Sequence, residues 1–305
     1  MRSRSLHAAA CLALLLATPV HAHEPLWGEA ASTVGTGIFH PDVKFEVRRN
    51  FRLLHGRDPA NNPTDLHLSR STQRIALDYG MGPKMNLRLD VPIERLRMSE
   101  TVAGVLVSSR YTEVGDVEMS VKRRIALRVG AGTKSQQAMS FGLRLPTGST
   151  SKRNSHGDLI PPDMQPGTGT FGVRLGYMTT RETRKNTVWF SAFWEEPLRR
   201  RRFTPSREVE FDASYGHWLK FPESLPDLGT MLSLGVRGHW FSKHRLPTGL
   251  DPNSGGAMLA SHITFVAQKD QYQLRLGLLV PLRQRVNGTQ PAERMELRVG
   301  LEGFF

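Results

Sequence analysis

The carboxyl-terminal stretch Glu293–Phe305, ERMELRVGLEGFF, decides the fold class because its apolar and polar residues alternate. Met295, Leu297, Val299 and Leu301 fall on one parity, and the charged residues between them fall on the other. Successive side chains of a β-strand point to opposite faces, so this segment predicts a strand with one apolar and one charged face.

The same period of two residues recurs along the chain, and no helical period of comparable length competes with it. It predicts about twelve strands, at residues 42–54, 71–79, 84–95, 113–128, 137–146, 169–180, 186–196, 207–219, 229–242, 257–267, 271–283 and 293–305. After residue 22 no stretch is apolar enough for a transmembrane helix. A membrane protein without such a helix must be a closed barrel, since only helices and barrels satisfy the backbone polar groups in lipid.

The connections between the predicted strands are long and short by turns. The long ones span residues 55–70, 96–112, 147–168, 197–206, 243–256 and 284–292, and each connection between them is a short turn. Transmembrane barrels have long external loops and short periplasmic turns. The sequence therefore predicts an all-β fold, a closed antiparallel transmembrane β-barrel of about twelve strands. An even strand number returns Phe305 to the periplasmic side.

The amino terminus has the pattern of a secretory signal. Arg2 and Arg4 precede the apolar run Ala8–Ala17, and Val20-His21-Ala22 fits a small-x-small cleavage site. We predict a cleaved signal peptide at residues 1–22, a periplasmic segment at 23–40 and the barrel at 41–305. Cleavage would remove Cys11, the one cysteine of the chain. Export with a barrel fold predicts the outer membrane of a Gram-negative cell.

The alternation also predicts which face meets lipid. Charged side chains on the lipid face would cost about 2–4 kcal/mol each near the midplane, so we expect the apolar parity to face lipid. The predicted lumen-lining residues are Arg48, Arg52, Lys84, Arg88, Asp90, Glu118, Lys122, Arg124, Arg144, Arg174, Glu210, Asp212, Arg237, Arg275, Glu296 and Arg298. Their arginines favour a narrow, anion-leaning path; the alternative is a plug of salt bridges that satisfy one another.

Two further groups of residues suggest contacts with the membrane. Aromatic residues near strand ends are typical of the girdles at a membrane interface, and we assign Trp189, Trp194, Trp218, Trp240 and Phe305 to them. Arg199, Arg200, Arg201 and Arg202 form a basic run in a predicted external loop. It predicts contact with outer-membrane lipid, through lipopolysaccharide phosphates; a solvated charge run is the alternative.

A family resemblance rests on three segments, Val114–Arg124, Phe141–Gly148 and Pro161–Gly169. They resemble the outer-membrane β-barrel transporters of the MetA-pathway phenol-degradation family. That resemblance implies a channel-like barrel that moves small aromatic or hydrophobic compounds. The terminal Phe305 is similar to the signal that the barrel-assembly machinery reads, which makes that machinery an expected partner.

The favoured function is thus an outer-membrane channel for small-molecule solutes through a charged lumen. One alternative is a barrel enzyme of phospholipase or deacylase type, because His217 shares the lipid-facing parity of its strand; no serine pairs with it by sequence. Another is an envelope anchor or partner of an efflux system. The sequence predicts no catalytic residue, cofactor or metal site. The net charge of +13 comes without a nucleic-acid-binding motif, so no nucleic-acid partner is expected.

Overall fold

The computed structural model describes residues 24–50, 52–198, 203–222, 227–303 and 305, without the side chains of residues 49 and 50. The predicted signal peptide at 1–22 and the basic run Arg199–Arg202 lie outside the described residues.

Twelve long antiparallel strands form a closed barrel. They are β1 Phe39–Asn50, β4 His67–Gly82, β5 Met85–Val102, β7 Val117–Gly130, β8 Thr133–Leu145, β9 Gly172–Thr183, β10 Asn186–Pro197, β11 Glu208–Lys220, β12 Gly229–Phe241, β15 Gly256–Lys269, β16 Tyr272–Val286 and β18 Met295–Gly303. Sequential strands pair throughout, and β1 pairs with both β4 and β18, which closes the sheet. The predicted fold class and strand number are confirmed.

Shorter elements lie in the connections at one end of the barrel. They are β2 Arg52–His55, β3 Asp58–Ala60, β6 Val105–Val114, β13 Arg245–Leu246, β14 Gly249–Leu250, β17 Thr289–Ala292 and a 3-10 turn at Pro162–Met164. The predicted loop 96–112 is instead a hairpin, in which β5 continues and β6 returns beside it. Its inner face is apolar: Leu96, Met98 and Tyr111 pack against Ile160. In the described part of the chain, no helix is long and apolar enough to cross a membrane.

The barrel has two unlike ends. At the loop end lie the long connections, 51–66, 103–116, 146–171, 198–207, 242–255 and 287–294. The turn end carries the short turns at 83–84, 131–132, 184–185 and 270–271, together with the connection 221–228. Strand β1 begins and Phe305 ends at the turn end, where the backbone N–H of each of Phe39 and Phe305 donates to the carbonyl of the other. The predicted alternation of loops and turns is therefore present.

The two faces of the wall have opposite chemistry. Phe45 and Leu297 point outward and are 49% and 48% exposed, whereas Glu46 and Arg298, one residue along, are 4% and 6% exposed. The apolar parity thus covers the outside of the barrel, and the charged parity fills the inside. A wall of this kind is stable only when the outer surface meets an apolar solvent.

The segment before β1 runs inside the barrel. Residues 24–28 and 30–32 are buried against inward side chains of the wall. This differs from the prediction of a periplasmic segment at 23–40, because the backbone polar groups of this stretch bond to the barrel wall instead of water. We call residues 24–36 the plug. Strand β1 begins at Phe39, two residues before the predicted barrel boundary.

Candidate functional site

A cavity of about 490 Å³ occupies the loop-end half of the barrel interior. Pro162, Gln165 and Pro205 line it near the loops, and Trp27, Gly28 and Glu29 of the plug line it from the other side. The cavity therefore lies above the plug, and the plug fills the interior between the cavity and the turn end.

Hydrogen bonds from the wall hold the tip of the plug. Arg298 donates to the carbonyl of Leu26 at 3.0 Å, and Arg237 donates to that of Trp27 at 2.8 Å. The indole N–H of Trp27 donates to the Thr264 hydroxyl at 3.1 Å. Buried backbone and indole groups need such partners, so the wall arginines replace the water that an exposed segment would bind.

Other hydrogen bonds hold the plug residues on either side of Leu26 and Trp27. Lys122 bonds the Glu24 carboxylate and the Ala30 carbonyl, both at 3.2 Å. The backbone N–H of Ala31 donates to the Thr180 hydroxyl at 2.9 Å, and Val34 N–H donates to the Asn86 side chain at 3.1 Å. Partners come from eight strands in all, including β10, whose Ser191 hydroxyl accepts from the Glu29 N–H at 3.4 Å, so the fold of the barrel itself prepares the plug site.

Glycines allow the plug and the wall to approach closely. A Cβ on Gly80 would lie 1.9 Å from the carbonyl oxygen of Gly35, and one on Gly28 would lie 2.5 Å from the Ser191 hydroxyl. The Gly37 N–H also donates to the Gly80 carbonyl at 2.8 Å. A side chain at Gly80 would therefore push the plug away where it enters the barrel.

Apolar contacts add to the plug site. Ala30 packs into a buried cluster with Trp189, Trp218, Met231 and Val266. The girdle prediction was wrong for Trp189 and Trp218, which are 2% and 5% exposed. Both point inward because the interior at this level is filled by the plug and not by water.

The remaining girdle residues lie on the outside. Trp194, Trp240 and Phe305 are 37%, 45% and 57% exposed. Trp240 lies at the loop end of β12, and Phe305 lies at the turn end against Tyr272, with ring centroids 5.9 Å apart. These positions suit aromatic side chains at the two borders of an apolar band.

Buried ion pairs join the wall strands under and beside the plug. Arg275, 0% exposed, contacts Asp42 at 2.5 Å and Glu302 at 3.1 Å. The same guanidinium donates to the Glu24 carbonyl at 3.1 Å. One buried cation thus links strands β1, β16 and β18 to the plug.

A second network borders the cavity. Arg298 contacts Glu46 at 2.9 Å and Glu296 at 2.7 Å, and Arg48 contacts Glu296 at 3.1 Å. Arg174 bridges Glu29 of the plug and Glu118 of the wall, at 3.3 and 3.1 Å. Most charges around the cavity are therefore already paired.

The structure brings most of the predicted lumen residues into the interior. Those that line the cavity are Arg48, Arg88, Asp90, Glu118, Arg144, Arg174, Glu210, Asp212, Arg237, Glu296 and Arg298. Lys122 and Arg275 lie beside the plug. Arg124 reaches the Gln136 side chain and the Pro83 carbonyl near the turn end.

Two predicted lumen residues are outside. Arg52 is exposed in β2, which pairs with β17 in a small sheet beyond the barrel. Lys84 is exposed in the turn between β4 and β5. The lumen prediction was wrong for both, because the barrel strand ends before Arg52 and begins after Lys84.

The cavity lining carries more acids than bases. It contains fourteen Asp or Glu residues and nine Lys or Arg residues. This surplus differs from the anion-leaning path expected from the arginines of the sequence. Within the plug, burial alone would raise the pKa of Glu29, but the guanidinium groups of Arg174 and Arg88 outweigh burial and lower that pKa below its ordinary value.

Aromatic rings accompany the arginines. The Arg174 guanidinium lies 3.8 Å from the ring centroid of Phe193, and that of Arg298 lies 4.4 Å from the ring of Trp27. Phe203 and Phe241 also line the cavity. A flat aromatic molecule would therefore meet both rings and polar groups there.

Several interior residues were missed by the sequence analysis. Asp78 and Arg74 belong to the second predicted strand; Asp78 pairs with Arg88 at 2.7 Å, and Arg74 with Asp90 at 3.3 Å. The even parity of residues 70–78 is the signal that could have found them. Trp27 carries no such signal, since its contacts are with residues more than two hundred positions away.

One group in the described chain could supply three metal ligands. Glu208, Glu210 and His239 place their ligand atoms within 4.8 Å of one another at the cavity wall. Arg237 already contacts the Glu210 carboxylate at 3.0 Å, which competes with a cation there. The sequence analysis predicted no metal site, and the register of β11 and β12 is what brings the three together.

The enzyme alternative depends on His217. Its Nδ1 lies 2.7 Å from the Asn186 side-chain oxygen, which also accepts from the Tyr215 hydroxyl at 2.7 Å. Among the described residues, no hydrogen bond joins His217 to a serine. The arrangement therefore fixes the orientation of the His217 ring through Asn186.

Comparisons with known proteins show which solved structures have a similar fold. An outer membrane channel from Pseudomonas putida F1 superposes with a TM-score of 0.65 at 15% identity, covering 93% of this chain and 100% of that chain. The translocator domain of the autotransporter NalP from Neisseria meningitidis has a TM-score of 0.45 at 11% identity, covering 99% and 96%. The latter similarity is too distant to carry an argument. No protein-family model matches the chain, and no curated protein matches it.

Proposed function

We propose that this protein is an outer-membrane channel that admits small solutes through its charged barrel interior. The observation that carries the proposal is the cavity of about 490 Å³, enclosed by the closed wall and ended by the plug. A cavity that is entered from the loops and blocked by a separate segment suits passage of a solute. Among the described residues, His217 of the enzyme alternative is hydrogen-bonded to Asn186 and to no serine, so we propose a channel in preference to an enzyme.

The outer surface supports a place in the Gram-negative outer membrane. Its apolar band would face the hydrocarbon, the loop end the cell exterior and the turn end the periplasm. Export through the signal peptide at 1–22 and recognition of Phe305 by the barrel-assembly machinery are parts of the same proposal. The exposed ring of Phe305 at the turn end is accessible to such a partner.

The lining narrows the solute class. Rings such as Phe193, Phe203 and Phe241 lie beside paired charges, which favours small aromatic or hydrophobic compounds that carry a polar group. The resemblance to the MetA-pathway phenol-degradation family supports the same class. The acid surplus favours neutral and cationic solutes over anions, because field lines concentrate in a narrow low-dielectric cavity.

The plug must move, wholly or in part, for a solute to cross. Its bonds to the wall are numerous but individually modest, at about 0.5–1.5 kcal/mol net between neutral groups and about 1.5–3 kcal/mol where an Arg or Lys of the wall donates. We therefore propose that the barrel wall stays fixed and the plug changes position. While the plug is docked, it would block the barrel interior and prevent water and ions from leaking through.

The test is uptake into liposomes of defined lipid that contain the purified protein. Phenol, benzylamine and benzoate share a ring and differ in charge, so their rates separate ring recognition from charge. We expect benzylamine and phenol to enter faster than benzoate. Equal rates in protein-containing and protein-free liposomes, together with release of fatty acids from the lipid, would instead favour the enzyme.

A further inference from the structure

A second concavity, of about 640 Å³, lies at the loop end on the outer side of the wall. Its lining differs from that of the interior: it carries four cations, Arg207, Lys243, Arg245 and Arg285, and one acid, Glu196. Apolar parts of Trp240, Leu250 and Ala257 complete it. None of these four cations lines the interior cavity.

The floor of the groove is a row of three residues across neighbouring strands. Trp240 pairs with Ala257, and Ala257 pairs with Arg285, so their side chains share one face. All three are exposed, which identifies that face as the exterior. The small Ala257 between two large side chains makes the surface concave.

A β-bulge turns Arg285 to the outside. In β16 the odd-numbered Arg275 and Leu279 point inward and are buried. The register against β15 then shifts by one residue between Leu259 and Ala260. A bulge of this kind reverses the alternation, so that Val286 is buried and Arg285 is exposed.

The cations of the groove are in large part unpaired. Arg207 holds Glu196 through two hydrogen bonds, one of them at 2.9 Å, and so neutralises the one acid. Within the described residues, Lys243, Arg245 and Arg285 make no ion pair. Three unpaired cations beside each other repel one another, and the arrangement gains stability when an anion binds among them.

The height of the groove on the wall narrows the identity of that anion. Trp240 lies where the apolar band ends, 45% exposed, with Val236 below it on the same strand face, 39% exposed. A ligand in the groove would therefore place its charge among the cations and its apolar part along the wall. Inorganic phosphate or a soluble anion has no such apolar part.

We propose that this groove binds a phosphate group of an outer-leaflet glycolipid. Arginine forks grip phosphate oxygens through paired hydrogen bonds, and Lys243 adds a point charge. The indole of Trp240 would contact the sugar and the first acyl carbons. The inference rests on the outer-membrane placement proposed above, but it does not depend on what the channel carries or whether the plug opens.

The test is binding of bisphosphorylated lipid A to the full chain in detergent, followed by native mass spectrometry. The triple variant Lys243→Ser, Arg245→Ser, Arg285→Ser should lose about a hundredfold in affinity. Each basic residue near an anionic lipid surface contributes a few-fold to tenfold in affinity, and three such contributions multiply. A matched control removes three exposed cations at the turn end, Arg128→Ser, Arg181→Ser and Lys269→Ser, and should bind as the parent does. Equal losses in both triples would overturn the proposal.

Further arms identify the source of the phosphate and guard against misfolding. Lipid A stripped of phosphate should bind poorly, and millimolar inorganic phosphate should not displace the intact lipid; efficient displacement would mean a plain anion site. The charge-keeping variant Lys243→Arg, Arg245→Lys, Arg285→Lys should bind less tightly than the parent, because lysine lacks the arginine fork, but more tightly than the serine triple; a merely misfolded barrel would bind no better than the serine triple. Conductance of the groove triple in planar bilayers should equal that of the parent, so failure here is distinguishable from failure of the channel proposal.

Discussion

The amino group of Lys122 on the barrel wall lies 3.2 Å from the carboxylate of Glu24, although the two residues are 98 positions apart in the chain. Both side chains are buried, so neither charge has water to replace its partner. Contacts of this length in sequence tie the plug to the wall and set the resting state of the protein.

One added methyl group should destabilise the plug at the point where it enters the barrel. Gly80→Ala would place a Cβ 1.9 Å from the Gly35 carbonyl, whereas Gly82→Ala, two residues along the same strand, meets nothing within 4 Å. We expect Gly80→Ala to destabilise the docked plug by about 1–3 kcal/mol. Single-channel recording should show longer open times for Gly80→Ala and parent behaviour for Gly82→Ala; the same open times in both would count against the clash.

Removing the buried cation Arg275 should weaken the barrel itself. Arg275→Gln leaves Asp42 and Glu302 buried without their partner, at a cost of about 3–5 kcal/mol. Arg285→Gln, on the exposed side of the same strand, should cost less than about 0.5 kcal/mol. The temperature at which the folded band disappears on a semi-native gel measures both. An unchanged temperature for Arg275→Gln would show that the pair adds nothing.

The ion selectivity should follow the interior charges alone. Replacing Arg48 and Arg88 together by Ser removes two cations from a cavity that already has more acids than bases, so cation preference should rise. The control Arg52→Ser removes an exposed cation outside the barrel and should change nothing. Reversal potentials in a salt gradient give the measurement, and an increased anion preference would contradict the placement of these side chains.

Acid should loosen the plug through Glu29. The neighbouring guanidinium groups hold its pKa below the ordinary value in the docked state. Its carboxylate thus stabilises docking above its ordinary pKa, and that stabilisation is lost as the pH falls through the lowered value. Open probability should therefore rise as the pH falls below the ordinary pKa of a glutamate side chain, about 4.3. In Glu29→Gln this rise should be smaller, and an identical pH response would assign the effect to other carboxylates.

Much of the wall could be predicted from the sequence because alternation is a local signal. The last strand shows this well: Met295, Leu297 and Val299 are exposed, and Glu296 and Arg298 are buried. The loops and turns follow from the same signal, since each interrupts the alternation. The strand boundaries differ by a few residues where Gly or polar residues extend a strand past its apolar part.

The failures have a common physical cause, which is that long-range packing overrides local pattern. Strand β10 is apolar on both faces, so its sequence does not say that Trp189 points inward and Trp194 outward. The inward choice for Trp189 depends on Ala30 of the plug. The plug has no alternation of its own, and its bond from Arg298 to Leu26 spans 272 positions.

The bulge in β16 is another feature that could not be predicted from the sequence. One extra residue reverses which side chains face outward, and nothing in the local pattern of residues 280–286 announces it. Sequence parity alone would place Arg285 inside with Arg275, whereas the structure exposes it. The outer groove therefore became visible only from the register of the neighbouring strand.

The most direct test of the account compares currents through two forms of the barrel. The parent and a form lacking residues 24–34 are placed in planar bilayers under the same salt and voltage. We predict small, infrequent current steps for the parent and larger, long-lived steps for the shortened form, because the deletion empties the interior and leaves all twelve barrel strands intact. Equal step sizes in both forms, or no steps in either, would contradict a channel closed by its own amino-terminal segment.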